Sequence, residues 1–185
     1  MLRSLLICTC ILFFAGCSSH SMYNYYVEPV PITKGVTKYK LGTVKVNLTL
    51  GHGAIEGDET FASEEVLNQE FFDDIQKYMQ EQGILAASEN QESPTVDITI
   101  DYKRTFNIGG KALRKPEISH HVVVSQNGKK LADFGMSHYT TKYAYFEEAA
   151  VDFKILSFLW DEKDEPKDVD LASQLMIKEL AGLGK

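Results

Sequence analysis

The chain has 185 residues, of which 44% are hydrophobic, 11% aromatic and 24% charged, and its formal net charge is -7. That length supports one domain with a real hydrophobic core. The acidic balance does not suit non-specific binding to nucleic acid, so no nucleic-acid partner is expected.

In chain order, the first segment has the three parts of an export signal. Arg3 supplies a positive start, Leu5 to Phe14 is an apolar run broken only by Thr9, and Ala15 and Gly16 are small. The run is too short for a spanning helix, which needs about twenty apolar residues. A plain secretory cut would need a small residue three positions before Cys17, where the bulky Phe14 stands. The run Phe14-Ala15-Gly16-Cys17, followed by Ser18-Ser19, resembles the lipobox of bacterial lipoproteins. That resemblance implies that residues 1–16 are a signal peptide and that Cys17 is the lipidation site, carrying palmitate-type acyl chains. Ser18, standing where an Asp would favour inner-membrane retention, implies an outer-membrane anchor with the domain facing the periplasm.

The three cysteines are Cys8, Cys10 and Cys17. Two leave with the signal and the third takes the lipid, so the mature domain has no thiol and no disulfide. Thiol catalysis and cysteine-ligated zinc are excluded on the same ground.

Residues 17–37 read as a lipidated tether, with Pro29, Pro31 and Gly35 and the tyrosines Tyr23, Tyr25 and Tyr26. Those tyrosines are unusual for a flexible linker. They suit packing on the domain, the lipid headgroups or a partner. Residues 38–185 form a single domain. Lys38 to Leu50 predicts the first strand, with Val44, Val46, Leu48 and Leu50 alternating with polar residues. Gly51 to Asp58 is a loop. Ser63 to Gln82 predicts a helix capped by Ser63, with Leu67, Phe71, Ile75, Tyr78 and Met79 on one face and Gly83 as its stop.

Val96 to Phe106 predicts a second strand with Val96, Ile98, Ile100 and Tyr102 on one face. Ile118 to Ser125 and Lys130 to about His138 are two more, joined by the hairpin signal Asn127-Gly128. Residues 143–160 fit either a helix or a strand. The helical reading is preferred, with Tyr145 or Phe146, Ala149, Phe153, Leu156 and Trp160 on one face. Asp168 or Asp170 caps a last helix that carries Leu171, Leu175, Met176 and Leu180. The order β-α-β-β-β-(α)-α predicts an α+β two-layer sandwich. Its sheet is mostly antiparallel and four-stranded, with two or three helices packed on one face.

Catalytic patterns do not survive inspection. The glycine-rich loop 51–59 has acids and no base, which does not suit phosphate. His120 and His121 are neighbours on a strand and point to opposite faces, so they cannot share a metal there. Ser119 beside His120 diverges for the same reason. Glu147 and Glu148 are adjacent rather than facing across a cleft. The stretch 161–170 lacks the glycine and ligand spacing of a calcium loop. No catalytic residue, cofactor or metal is therefore expected.

One feature suits recognition. Lys103, Arg104, Lys111, Arg114 and Lys115 fall in an acid-free stretch of an acidic chain and bracket Asn107-Ile108-Gly109-Gly110. They are the candidate contact for an anionic partner, weighed against a solvated loop that protects a sheet edge.

The run Gly110-Lys111-Ala112-Leu113-Arg114, a strand, the Asn-Gly turn and Lys130-Leu131-Ala132-Asp133-Phe134 resemble the small α/β modules of uncharacterised envelope lipoprotein families. The resemblance implies a non-enzymatic accessory or scaffolding module with an envelope protein partner. Such a module would use a sheet edge, the aromatic tether and the basic loop for contacts. The alternative is a carrier or sensor of an amphiphilic or anionic envelope ligand, with Phe71, Phe72, Tyr145, Phe146 and Phe153 lining a pocket.

Overall fold

A computed structural model of the chain describes residues 23–27, 31–87, 92–107 and 109–185. The elements are β1 (Tyr23–Val27), β2 (Lys40–Leu50), α1 (Glu64–Glu81), β3 (Thr95–Arg104), β4 (Glu117–Gln126), β5 (Lys129–Tyr139), α2 (Tyr145–Leu156) and α3 (Glu165–Ala181). The fold is α+β, as the sequence predicts. The strands form one sheet in the order β1-β5-β4-β3-β2, antiparallel except for the parallel pair β2 and β3. Helix α1 makes the crossover between those two parallel strands.

Alternation decides which face is buried. Val44, Val46, Val96, Ile98, Ile100, Ile118, Val122, Val124, Ala132, Phe134 and Met136 point to one side and are buried there. Their neighbours on the strands, such as Lys45, Thr99, Asp101 and His121, point the other way. The helices α1 and α3 cover the apolar side. Leu67, Phe71, Ile75 and Met79 of α1 and Val169, Ala172 and Met176 of α3 have no exposed surface. Each large side chain buried in this way contributes about 1.5–3 kcal/mol.

The termini of α1 follow the sequence. Ser63 caps it, its Oγ accepting from the Val66 amide at 3.3 Å. Gly83 follows at φ 63°. The hairpin between β4 and β5 turns at Asn127 and Gly128, both at positive φ, which is the backbone that a two-residue hairpin requires. The final helix departs from expectation. It starts at Glu165, one turn before the expected caps, after Asp164 and with Pro166 in its first turn. Asp168 is therefore a buried residue inside the helix rather than its cap.

The fifth strand is the larger difference. The segment expected as tether contributes β1, which pairs with β5 from Tyr23 opposite Met136 to Val27 opposite Ala132. Alternating tyrosines beside prolines read as linker, yet β5 offers an edge that they complete. We expect the backbone amides of Tyr23–Val27 to exchange with deuterium more slowly than those of the loop 53–58. Exchange as fast as the loop would remove β1 from the sheet.

Candidate functional site: an aromatic helix at one end of the sheet

β1 begins and β5 ends at the same end of the sheet, where β4 begins and β2 and β3 finish. The connections 51–63, 105–116 and 140–164 all lie there. They enclose a second, smaller core of Phe61, Phe106, Leu113, Val151 and Trp160. Phe61 meets Phe106 edge-on with centroids 5.2 Å apart, and Tyr143 meets Trp160 at 5.9 Å.

This small core mounts α2 by one edge. Val151 is buried in it and Ile155 packs against it. Glu148 accepts from the Tyr143 amide at 2.8 Å and pairs with Lys115, which also lies 3.5 Å from Asp152. Lys154 pairs with Asp164 at 3.0 Å. Asn107 Nδ2 donates to the carbonyl of Ile155 at 2.9 Å, satisfying a group in the helix's last turn.

The opposite side of α2 is apolar and open. At 100° per residue, Tyr145, Ala149, Leu156, Phe153 and Phe146 share one face. Tyr145 is 85% exposed, Phe146 87% and Leu156 77%, and Phe158 and Leu159 continue the patch past the helix end. Tyr145 and Phe146 touch edge-on at 5.4 Å. The sequence finds this stripe, but its expected direction is inverted. Tyr145, Phe146, Ala149, Phe153 and Leu156 of the expected face look outward, whereas Trp160 lies past the helix end and is buried in the small core, and Val151 and Ile155 turn inward. The legible signal is that α2 is apolar on two faces, and a helix cannot bury both against one small core.

Beneath α2 runs a buried polar network. The Arg104 guanidinium meets Glu165 with two hydrogen bonds, Nε to Oε1 at 2.7 Å and Nη2 to Oε2 at 2.9 Å. Nη2 also donates to the Ala62 carbonyl at 2.6 Å, and the Tyr102 hydroxyl donates to Glu165 at 3.2 Å. Burial raises the Glu165 carboxyl, and Arg104 and Tyr102 oppose that rise. Burial and then the charge of Glu165 raise Glu70 as well. Asp168 accepts from the hydroxyls of Thr141 and Tyr143, the latter at 2.7 Å. The buried Trp160 N–H faces its carboxylate but falls short of a full hydrogen bond. Burial still pushes Asp168 up to about 6. On the sheet, His120 lies 2.9 Å from the Tyr139 hydroxyl, and burial pulls it down to about 4.

The expected contacts fare unequally. Arg104 is 4% exposed and faces the interior, so it cannot meet a partner. Lys115 is committed to Glu148 and Asp152, and Lys103 lies 3.6 Å from Glu117. Lys111 and Arg114 are exposed, and Arg114 donates to Asn107 Oδ1 at 2.8 Å. With Lys115, Leu156 and Phe158, Arg114 lines a shallow groove of about 480 Å³ beside α2. The aromatic residues expected around a pocket do not gather. Phe71 is core and Phe72 half-buried, whereas Tyr145, Phe146 and Phe153 lie outside on α2. His120 is buried and His121 exposed, on opposite faces as expected. No group of three or more metal-capable side chains occurs among the described residues. Cys17 lies outside the described residues.

One of the two sheet edges, that of β2, is partly engaged by its own chain. On β2, the Val46 amide donates to Asn68 Oδ1 at 2.9 Å and the Leu48 amide to Glu64 Oε2 at 2.8 Å, both acceptors from α1. Side chains thus occupy donors that a partner strand would use.

No protein-family model matches the chain, and a search of curated proteins finds no match. Among solved structures, an uncharacterized protein is similar at 14% identity over 84% of this chain and 96% of that one, with a TM-score of 0.36. A PelC dodecamer from Paraburkholderia phytofirmans is similar at 11% identity over 75% of this chain and 98% of that one, with a TM-score of 0.26. Likenesses of this size carry no statement about activity or partners.

The network yields two predictions. Arg104→Met strands the buried Glu165 charge and should destabilise the domain by about 3–5 kcal/mol. Arg104→Met with Glu165→Met should recover most of that loss in urea unfolding, and a double variant no better than the single would show that the pair's charges are not what matters. The second concerns acid. His120, held below its ordinary value of 6.5, gives stability that is complete above that value and lost as pH falls towards about 4, on the order of 3 kcal/mol in all. Asp168, held above 3.8, works the other way and adds stability as pH falls through about 6. Asp168→Asn should therefore lose stability more steeply than wild type between about pH 6 and pH 4. An unchanged slope would remove Asp168 from the account.

Proposed function

We propose that the protein is a lipid-anchored, non-enzymatic module of the bacterial cell envelope, held by acyl chains on Cys17 and acting as an accessory or scaffolding part of an envelope complex. Ser18 favours the outer membrane and the periplasmic side. The observation that carries the reading is β1. It starts six residues after Cys17 and is hydrogen-bonded to β5 along its length. Six residues reach at most about 20 Å when extended. An acyl group at Cys17 would thus fix this domain close to a bilayer, where a free tether of twenty residues would let it range about 65–70 Å. Close fixing suits a part of an assembly better than a shuttling carrier. The carrier reading loses its support, because the aromatic residues it needs are divided between the main core and the outer surface.

The test begins with the mass of the Cys17 peptide from envelopes. We expect a mass increase equal to acylation, and Cys17→Ala should move the full-length protein from the membrane to the soluble fraction. In vivo crosslinking of the anchored protein should then capture one stoichiometric envelope protein. An unmodified Cys17 would sink the anchor, and recovery of the protein alone would sink the accessory role.

A further inference from the structure

We propose that the outer face of α2, continued by Phe158 and Leu159, seats the domain on the surface of the phospholipid bilayer that anchors it. The inference rests on the acylated Cys17 of the preceding reading and adds which face of the domain meets the membrane.

Three observations point to a bilayer rather than a protein. The first is chain length. Tyr23 is the start of β1 and lies at the end of the sheet that carries α2. Only the residues between Cys17 and Tyr23 separate that end from the lipid, at most about 20 Å. The anchor therefore draws this end, and not the Asn127-Gly128 end, towards the membrane.

The second is the form of the patch. α2 has twelve residues and is about 18 Å long, too short to cross a hydrocarbon core of about 30 Å. A short helix with aromatic and leucine side chains along one face suits lying in the interface. Tyr145, at the edge of the stripe, has the amphipathic ring that prefers headgroup depth.

The third is how α2 is held. Its ion pairs, Glu148 and Asp152 with Lys115 and Lys154 with Asp164, all lie along the flanks or beneath the helix. They fix its orientation without crossing the outer face. Arg114, in the groove beside Leu156 and Phe158, is placed to meet lipid phosphates while those side chains enter the headgroup region. Asp152, an acid, borders the stripe beside Tyr145, so apolar insertion and not net charge drives the contact.

The acyl chains already hold the protein to the membrane, so the face sets orientation. The experiment must read position rather than binding. Full-length lipidated protein carrying Ala149→Cys, in the middle of the stripe, is labelled with an environment-sensitive fluorophore. A second sample carries the label at Lys129→Cys, at the far end of the sheet. Both are reconstituted in vesicles of mostly phosphatidylethanolamine with a minority of phosphatidylglycerol. The expected result at position 149 is quenching by nitroxide lipids and several-fold less quenching by aqueous iodide than at position 129. Phe146→Ser with Phe153→Ser replaces exposed side chains only. It should keep the thermal midpoint and the Cys17 acylation while restoring iodide access at position 149.

Equal iodide access at the two positions in a protein of confirmed acylation would overturn the seating and leave the anchor intact. Shielding without nitroxide quenching that grows with the protein-to-lipid ratio would overturn it in favour of a second copy on this face. An unmodified Cys17, read by mass on the same sample, would overturn the anchor and the seating together.

Discussion

The Arg104–Glu165 pair joins the parts on which the α2 end of this domain depends. Arg104 is the last residue of β3, Glu165 the first of α3, and Ala62 the approach to α1. One guanidinium thus closes the corner where sheet, crossover helix and final helix meet. Its charge would be costly there without a partner, since a buried ion loses several kcal/mol of hydration. The bidentate geometry and the Tyr102 hydroxyl meet that cost on one side, and the Phe61 ring, 5.6 Å from the guanidinium carbon, covers the other. The small core that carries α2 is built directly on this corner. Phe61 belongs to it, and Phe106 follows Arg104 by two residues.

A buried pair of this kind contributes specificity of arrangement more readily than net stability. The small core has only a handful of large side chains, too few to fix α2 alone. Its position is set instead by directional contacts. Lys115 reaches to Glu148, Lys154 to Asp164, and Asn107 to the Ile155 carbonyl. Asp164 is shared, because Lys167 meets it as well at 2.8 Å. The ammonium groups of Lys154 and Lys167 lie 5.6 and 5.3 Å from the centre of the Trp160 ring. Polar side chains do the holding where apolar ones are scarce, and that releases the apolar ones to face outward.

The layers of the fold were legible because period alone reveals them. The alternation in Val96, Ile98, Ile100 and Tyr102 and the three- and four-residue spacing in Leu67, Phe71, Ile75 and Met79 each match one buried face. Pairing is a matter of tertiary context, and period is silent there. Tyr23–Val27 is a strand because β5 has an edge to complete, and no local signal states that. Burial of charge is equally non-local. Arg104 sits in a basic run like Lys111, and only the arrival of Glu165 from 61 residues away distinguishes them. The direction of α2 was hidden for a further reason. Two apolar faces compete for one core, and Val151 with Ile155 is the smaller of them.

That competition is itself informative. Turning α2 by half a turn would bury Phe146 and Phe153, large rings whose burial is worth more than that of Val151 and Ile155. The chain forgoes this and spends its polar contacts on holding the rings in water. Several other surfaces that could receive a partner are occupied from within among the described residues. The amides of β2 are taken by Asn68 and Glu64, the edge of β5 by β1, and the cations Lys103, Arg104 and Lys115 by acids. A fold consistent at every level would not leave an apolar stripe of this kind exposed beside so many satisfied groups. Local conflict of this sort collects at surfaces that meet something else. Here it lies at the end of the sheet from which the chain leads back to Cys17, so the conflict is relieved only when that end is covered.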